Sequence, residues 1–272
     1  MAFAAGWSGD PRSDVIIPVD AAERLVAWFR TEGADLPWRR TRDRYAVLVS
    51  ETMLQATQVA RVVPYFERWI VRWPTAASLA AEPLGEVLAA WHGLGYPRRA
   101  RNLHRTAAVV AGHGWPERLE DLPGVGPYSA AAIRCFADEA PVLPIDTNVR
   151  RVLARRWPGG WPGAPAGAAW AAGQALMDLG RLICTARRPL CDAGCPLRDG
   201  CPAADAGAVS DVTPQGRRQS RYEGSLRQRR GRLLAEIATE GRVDALLDPE
   251  AAESLVADGL ARRGRENLLP AR

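Results

Sequence analysis

The sequence predicts an all-α protein, and three observations support that fold class. Before residue 220 there is little strict apolar–polar alternation, which is the pattern of a half-buried strand. Apolar residues instead recur at helical spacing, as Leu25, Val26 and Phe29 do. Proline and glycine residues divide these runs into separate segments. We therefore expect separate helices and almost no sheet in this part of the chain.

Caps and helix breakers predict the individual elements in chain order. Residues 1–20 are expected to be irregular, with Asp20 as a candidate cap for the first helix. A polar stretch rich in small residues, 206–220, predicts a linker before a small helical or winged-helix-like module at 221–272. The predicted helices are 21–32, 44–60, 64–73, 128–137, 168–184, 227–239 and 251–259, with short ones broken at Pro74, Pro83 and Gly93.

Composition limits the possible partners and chemistry. The 272-residue chain has a net charge of +5, and its 36 basic residues are all arginine. Moderate basicity fits a nucleic-acid partner without establishing one. With no lysine, there is no side-chain amine to form a Schiff base. No apolar run reaches membrane-spanning length and the first residues lack a signal-peptide pattern, so we expect a cytoplasmic protein without a membrane partner.

Residues 122–126, called the hairpin below, predict a tight turn that leads into a helix at Tyr128. Gly124 and Gly126 are expected to allow positive φ and a close approach of the backbone. Backbone N–H groups at the start of a helix favour an anion such as a phosphate. A single Gly-Val-Gly also fits an ordinary corner between two helices, so the motif alone does not decide.

A second segment follows the hairpin after Pro141 and Pro144, which interrupt the helix. Asp146 is placed to cap a new helix that carries Val149 and Val152 on one face. Capping alone would explain this aspartate.

Four of the five cysteines, Cys184, Cys191, Cys195 and Cys201, fall in one short segment, called the cysteine loop below. The gaps between them are six, three and five residues, which argues for a metal rather than for disulfides. Zinc usually takes paired short spacings. One compact loop with four thiolates suits an iron–sulfur cluster better. Cys135 lies in a helical stretch and is expected to be a small buried hydrophobe.

Glu51 lies in a predicted helix among Val47, Leu48, Met53 and Leu54. A glutamate in a helix is usually solvated. Here at least one flank is apolar, and an apolar setting raises the pKa of a carboxyl group and keeps a proton available for donation. Glu51 is therefore a candidate general acid.

Several motifs now stand in a fixed order along residues 36–201. Together they resemble the adenine DNA glycosylases of the MutY type, within the helix–hairpin–helix DNA glycosylase superfamily. The motifs are Leu36-Pro37-Trp38-Arg39, the Glu51 helix, Gly93-Leu94-Gly95-Tyr96, the hairpin, Asp146, Met177-Asp178-Leu179-Gly180 and the cysteine loop.

The resemblance implies roles for residues in the reaction. Glu51 would protonate the adenine base, and Asp146 would stabilise the oxocarbenium-like sugar, a division of labour that glycosidases share. Tyr128 and Asn148 would assist around the sugar and the attacking water. Trp38, Arg39 and Asp178 match positions of the base pocket. The four cysteines of the cysteine loop would hold a 4Fe–4S cluster, with Gly194 absorbing a middle gap one residue longer than usual.

The resemblance also implies a DNA-binding surface. The target base must be flipped out of the duplex, and Tyr96 matches the intercalating tyrosine, although a core aromatic is the alternative. Arginines around residues 217–230 are expected to add phosphate contacts. The remaining implied contacts are Leu54 and Gln55 on the lesion side, Gly124, Val125 and Gly126 in the hairpin, and Arg187 and Arg188 on the DNA backbone.

A two-lobed fold follows from the same resemblance. One lobe would comprise 1–40 and 147–205 with the iron–sulfur loop, and the other would be a helical barrel of 41–146. The cleft between them would hold Glu51 and Asp146.

We expect a monofunctional glycosylase that removes adenine opposite guanine or 8-oxoguanine in double-stranded DNA, acting as a monomer. Two alternatives are a mismatch thymine or uracil glycosylase of similar fold and a non-catalytic iron–sulfur DNA-binding protein.

Two departures from the family pattern affect the expected specificity. Ala56 stands where the family usually has a second glutamine, and the tail is too short for the Nudix-like domain of many relatives.

Overall fold

A computed structural model of the chain describes residues 19–207 and 221–271. The chain divides into two compact units. Among the described residues, unit one comprises 19–35 and 134–207, and unit two comprises 36–133 and 221–271. The predicted lobe boundaries at 40 and 146 stay a prediction. Most of the predicted irregular start and most of the predicted linker lie outside the described residues.

Unit one is helical. Its core joins apolar residues of three helices, among them Leu25, Val152 and Leu176, which are almost fully buried. Helices α8 and α9 approach closely because Gly180 has no side chain: a Cβ there would lie 2.8 Å from the Cβ of Asn148. Its helices are α1 (Val19–Glu32), α8 (Thr147–Arg156), α9 (Ala169–Leu182) and the short α10 (Pro202–Asp205).

Unit two begins with a short 3-10 turn at Pro37–Arg40 and continues as a set of packed helices. Three tryptophans form edge-to-face pairs in its core, with Trp69 against both Trp73 and Trp91. Its first helices are α2 (Arg44–Leu54), α3 (Val59–Arg72), α4 (Ala76–Ala80), α5 (Leu84–Trp91) and α6 (Arg98–His113), and α7 (Pro127–Phe136) crosses the boundary between the units.

The C-terminal module, residues 221–271, combines two helices with a small sheet. Helices α11 (Leu226–Glu240) and α12 (Pro249–Ala257) pack on three short antiparallel strands in the order β1-β3-β2. The strands are β1 (Val243–Asp244), β2 (Ala261–Arg263) and β3 (Asn267–Pro270). The two predicted helices of the tail are confirmed, and the three strands beside them agree better with the winged-helix-like alternative than with a purely helical module.

One predicted helix is wrong. The sequence favoured a continuous helix over 44–60, but α2 ends at Leu54 and α3 begins at Val59, with Ala56 between them at φ +54°. A distant side chain accounts for the break between the two helices. The Arg99 guanidinium donates hydrogen bonds to the carbonyl oxygens of Thr52, Met53 and Gln55. Proline at position 64 does not open α3 but lies inside it.

Helix α1 begins at Val19, so the expectation that Asp20 precedes and caps this helix is wrong. The described part of the chain is mostly helical, which confirms the all-α class. Asp146 caps α8 as expected, and Cys135 is fully buried. Within the described residues, no helix combines the length and apolar character needed to cross a bilayer.

Candidate active site

Glu51 lies in the most buried helix of unit two. Asp43 caps α2 by accepting a hydrogen bond from the Ala46 amide at 2.8 Å, and the nine residues from Tyr45 to Met53 are all buried. Ser50 and Thr52 donate their hydroxyls to carbonyls one turn back. Glu51 is 7% exposed. Burial disfavours the ionised form of a carboxyl, which is the setting in which a carboxyl can deliver a proton to a substrate.

The loop that ends α2 is held by Arg99 of α6. Its Nη1 donates to the carbonyls of Thr52 at 2.8 Å, Met53 at 3.1 Å and Gln55 at 2.6 Å. These are carbonyls that a helix end leaves without partners. The half-buried Leu54 and the exposed Gln55, the predicted contacts on the lesion side, are therefore the last residue of α2 and the one after it, on a braced turn.

The same guanidinium holds the loop before Tyr96. Its Nη2 donates to the carbonyls of Leu94 at 2.9 Å and Gly95 at 3.0 Å, and the cation lies 5.5 Å from the Tyr96 ring centroid. Tyr96 is 39% exposed and has φ +49°, a left-handed conformation that is uncommon for a side chain of this size. Desolvation lowers the pKa of Arg99 to about 10. Sequence reasoning missed Arg99, because one arginine among 36 carries no signal of its own.

The hairpin packs on the first half of α6. Gly124 has φ +78°, and a Cβ there would lie 2.8 Å from the Cβ of Asn102. The Thr106 hydroxyl donates to the Pro123 carbonyl at 2.8 Å. Val125 is buried beneath the turn. The expectation of positive φ at Gly126 is wrong, because its carbonyl already accepts the Ala130 amide in the first turn of α7.

Helix α7 opens at Pro127, which has no amide hydrogen, and Tyr128 follows as a half-buried residue of its first turn. A small cavity of about 50 Å³ lies where the hairpin, α2 and α6 meet. Its lining includes Thr52, Gln55, Arg99 and Gly124. Unit two therefore brings the Glu51 helix, the Tyr96 loop and the hairpin onto one helix, α6.

Asp146 and Asn148 form one network in unit one. Asp146 Oδ1 accepts the Val149 amide at 2.6 Å, and its Oδ2 accepts Asn148 Nδ2 at 3.0 Å. Arg151 then donates to Asn148 Oδ1 at 2.8 Å and to the Cys184 carbonyl at 2.7 Å. The buried Arg151, whose pKa is lowered by desolvation, thus connects the candidate catalytic segment with the first cysteine.

The predicted base-pocket residues have structural contacts of their own. Trp38 is buried and packs edge-to-face on Phe66, while Arg39 is half-buried in the 3-10 turn. Asp178 is 2% exposed and accepts the Ala34 amide at 3.1 Å. Their role in base binding stays a prediction.

The four cysteines of the cysteine loop line one cavity of about 600 Å³. Arg155 of α8 donates to Cys184 Sγ at 3.3 Å and to the Thr185 carbonyl at 2.7 Å. Burial, together with the charges of the other cysteines, raises the pKa of Cys195 to about 11. Sequence analysis did not single out Arg155, which is buried against the loop.

Over residues 19–207 and 221–271, no three side chains of His, Cys, Asp or Glu stand close enough together to share a metal ion. Gly194, in the longer middle gap, adopts φ +87°. Arg187 and Arg188 are exposed between the first two cysteines, where the Thr185 hydroxyl donates to the Arg188 carbonyl at 2.6 Å.

Comparisons with known proteins place the chain. Residues 49–162 match the HhH-GPD superfamily of base excision DNA repair proteins. The chain is 41% identical to an adenine DNA glycosylase of Mycolicibacterium smegmatis over 273 residues, covering 88% of this chain and 92% of the relative. An adenine DNA glycosylase of Mycobacterium tuberculosis is also 41% identical, over 88% of this chain and 89% of its own length.

The fold has solved counterparts. A thermostable thymine-DNA glycosylase superposes with a TM-score of 0.62 at 26% identity, covering 68% of this chain and 95% of that one. It confirms the helix–hairpin–helix glycosylase fold. The sequence identity to these relatives, the share of each chain that the match covers and the matching fold show that the chain belongs to the adenine DNA glycosylase family of base excision DNA repair enzymes.

Proposed function

We propose that this enzyme hydrolyses the N-glycosidic bond of adenine paired with guanine or 8-oxoguanine in double-stranded DNA. The observation that carries the proposal is Glu51, a carboxyl group that is 7% exposed within a helix buried along nine consecutive residues. A buried, titratable side chain is a candidate for proton transfer. The two relatives with 41% identity are adenine DNA glycosylases, which supports the choice of base.

In the proposed reaction Glu51 donates its proton to a ring nitrogen of adenine. The C1′–N bond then breaks, its electron pair leaves with the base, and C1′ becomes oxocarbenium-like. A water molecule attacks C1′ and its released proton restores the acid. General acid catalysis of this kind contributes about 100- to 10,000-fold.

Asp146 supplies the negative charge for the developing cation in this proposal. Both of its oxygens accept hydrogen bonds from fixed donors, the Val149 amide and Asn148 Nδ2. Donors of this kind hold the carboxylate in one orientation, so little reorganisation is needed when charge develops. Asn148 and Tyr128 assist around the sugar and the water.

The base reaches the acid by leaving the duplex. Tyr96 fills the vacated stack, with Leu54 and Gln55 contacting the opposite strand, and the hairpin binds a phosphate at the start of α7. Trp38, Arg39 and Asp178 shape the base pocket. The enzyme is monofunctional, since the chain has no lysine to form an imine with the sugar.

The cysteine loop holds a 4Fe–4S cluster in this proposal. A four-iron cluster takes one thiolate at each iron, so its ligands surround a volume rather than meet at one ion. Four thiols that line one cavity of about 600 Å³, at gaps of six, three and five residues in one loop, suit such a cluster better than zinc, which usually takes paired short spacings. When bound, the cluster would fix the loop and present Arg187 and Arg188 to the DNA backbone.

A mismatch thymine glycosylase is the second candidate, favoured by the structural match to a thymine-DNA glycosylase. Glu51 favours adenine, because protonation makes adenine a much better leaving group. We further propose a monomeric enzyme that works in the cytoplasm on the nucleoid.

A panel of duplexes with A:8-oxoG, A:G, T:G and U:G pairs tests the function by base release. We expect release of adenine only, and loss of at least about 100-fold in rate for Glu51→Gln with retained DNA binding. Glu67→Gln, an exposed change on α3, is the matched control and keeps the parent rate. Release of thymine or uracil, or a Glu51→Gln enzyme with parent activity, would reject the proposal.

A further inference from the structure

Strands β2 and β3 of the C-terminal module, with the turn between them, form residues 261–270, called the wing below. The wing carries a concentrated positive charge. Arg262, Arg263 and Arg265 are all exposed. The Gly264 amide donates to the Asn267 carbonyl at 2.7 Å, which closes a tight turn with Arg265 near its tip. A Cβ at Gly264 would lie 3.1 Å from that same carbonyl, so the turn leaves little room for a side chain at this position.

The wing arginines differ from those of α11. Arg229 binds Asp248 at 2.8 Å and also Glu250, and Arg230 binds Asp258. These ion pairs engage the charges of both arginines within the module, and the expectation that the arginines near residue 230 contact phosphates stays a prediction. Arg217 and Arg218 lie outside the described residues. Within residues 19–207 and 221–271, the three wing arginines form no ion pair. Glu266 is the one acidic residue of the wing, so the net charge of the wing is positive.

Asp258 joins the start of the wing to helix α6. This carboxylate is 7% exposed and binds both Arg98 of α6 and Arg230 of α11, and these hydrogen bonds, that to Arg98 first, lower its pKa. Arg101 of α6 donates to the Asp258 carbonyl. Asp258 lies three residues before β2, so the base of the wing is attached to α6, the helix on which the hairpin also packs.

We propose that the wing binds the phosphate backbone of duplex DNA as a contact surface additional to the hairpin. Three exposed guanidiniums without ion pairs, on a turn closed by a backbone hydrogen bond, suit phosphate oxygens, which they can bind in a bidentate manner. The inference rests on the proposed function, because it takes the substrate duplex as the partner. The wing adds affinity without reading bases, since phosphate contacts carry no sequence information.

The test is the salt dependence of binding to a mismatch duplex. The triple variant Arg262→Ala, Arg263→Ala, Arg265→Ala should reduce the slope of log Kd against log salt by about 2 to 3, since each lost phosphate contact removes about 0.9. The corresponding triple change to lysine should keep most of the slope, which separates lost charge from lost structure. Thermal unfolding of each variant checks that the module stays folded.

A matched control removes three other exposed arginines of unit two, Arg68, Arg72 and Arg118, and should leave the slope at the parent value. A wing-alanine variant with the parent slope, or a control that loses as much, overturns the inference. Base release by the parent enzyme is measured separately. Its absence would reject the proposed function, while the slopes still decide whether the wing binds DNA.

Discussion

The Arg99 guanidinium donates to the Gln55 carbonyl at 2.6 Å and so joins two segments 44 residues apart. One side chain closes the end of the helix that carries Glu51 and holds the loop that presents Tyr96. The proposed acid and the proposed wedge are thus fixed to each other through a single cation. Because Arg99 donates to backbone carbonyls of both segments, we treat it as a positioning residue.

We predict that Arg99→Lys slows adenine release and weakens base flipping. A lysine ammonium is a compact point charge. It cannot donate hydrogen bonds to the carbonyls of both segments as the planar guanidinium does. Each hydrogen bond from a charged donor is worth about 1.5–3 kcal/mol, so the unfolding temperature should also fall by several degrees. The specific readout is the fluorescence of a base analogue at the flipped position.

Arg61→Lys provides the control for Arg99, since Arg61 makes one bond of 3.3 Å to the Gly93 carbonyl in the same loop. It should flip the analogue as the parent does. If Arg99→Lys lowered stability alone and left the flipping signal intact, the positioning role would be refuted.

Local signals predicted part of this arrangement well. The cap at Asp146 and the turn at Gly124 each depend on residues within a few positions of one another, and the four cysteines lie within 18 consecutive positions. Their physical causes, which are capping, positive φ and thiol spacing, can be recognised in a single sequence.

Long-range contacts could not be predicted in the same way. The break at 55–58 has no proline or glycine, and its cause, Arg99, is far away in the chain. Arg151 and Arg155 are equally inconspicuous in an arginine-only chain, although both are buried against the start of the cysteine loop. A side chain that donates hydrogen bonds to carbonyls far away in the chain leaves no local pattern in the sequence.

Asp146→Asn should remove catalysis and keep the fold. Asparagine caps a helix about as well as aspartate, so α8 and the unfolding temperature should change little. The negative charge near the developing cation is lost, and we expect a rate reduction of about 100-fold or more. Asp43→Asn makes the same exchange at the cap of α2 and should keep the parent rate. Comparable rates for the two variants would mean that Asp146 acts only as a cap.

Iron and sulfide analysis of anaerobically prepared protein should find about four of each per chain. Cys195→Ser should lose most of the iron, because a hydroxyl is a poor ligand for a cluster. Cys135→Ser should retain it, since Cys135 is fully buried outside the loop and its Sγ bonds the Ala169 carbonyl at 3.5 Å. Protein with neither iron nor sulfide, or with zinc in their place, would contradict the assignment.

Borohydride reduction during turnover should trap almost no covalent protein–DNA adduct. A β-lyase reaction needs an amine that forms an imine with the sugar, and the chain contains no lysine. DNA strands should therefore break only after added base or heat. The N-terminal amine is the remaining source of an imine, so blocking it chemically is the control for any trace of adduct. Efficient trapping by the blocked protein would show that another nucleophile attacks the sugar.

Ala56→Gln should increase the preference for adenine opposite 8-oxoguanine over adenine opposite guanine. Ala56 is exposed in the turn that Arg99 holds, with φ +54°, between Gln55 and Thr57. Its methyl group offers no hydrogen bond to a base edge, whereas a glutamine amide would offer both a donor and an acceptor. One base-edge contact is worth about 1–3 kcal/mol of discrimination, or about 5- to 150-fold in the ratio of single-turnover rates. Gln58→Ala, two residues on and also exposed, should leave that ratio unchanged. If Ala56→Gln altered neither rate, the turn at 55–58 would not face the opposite base, and discrimination would have to come from elsewhere in the protein.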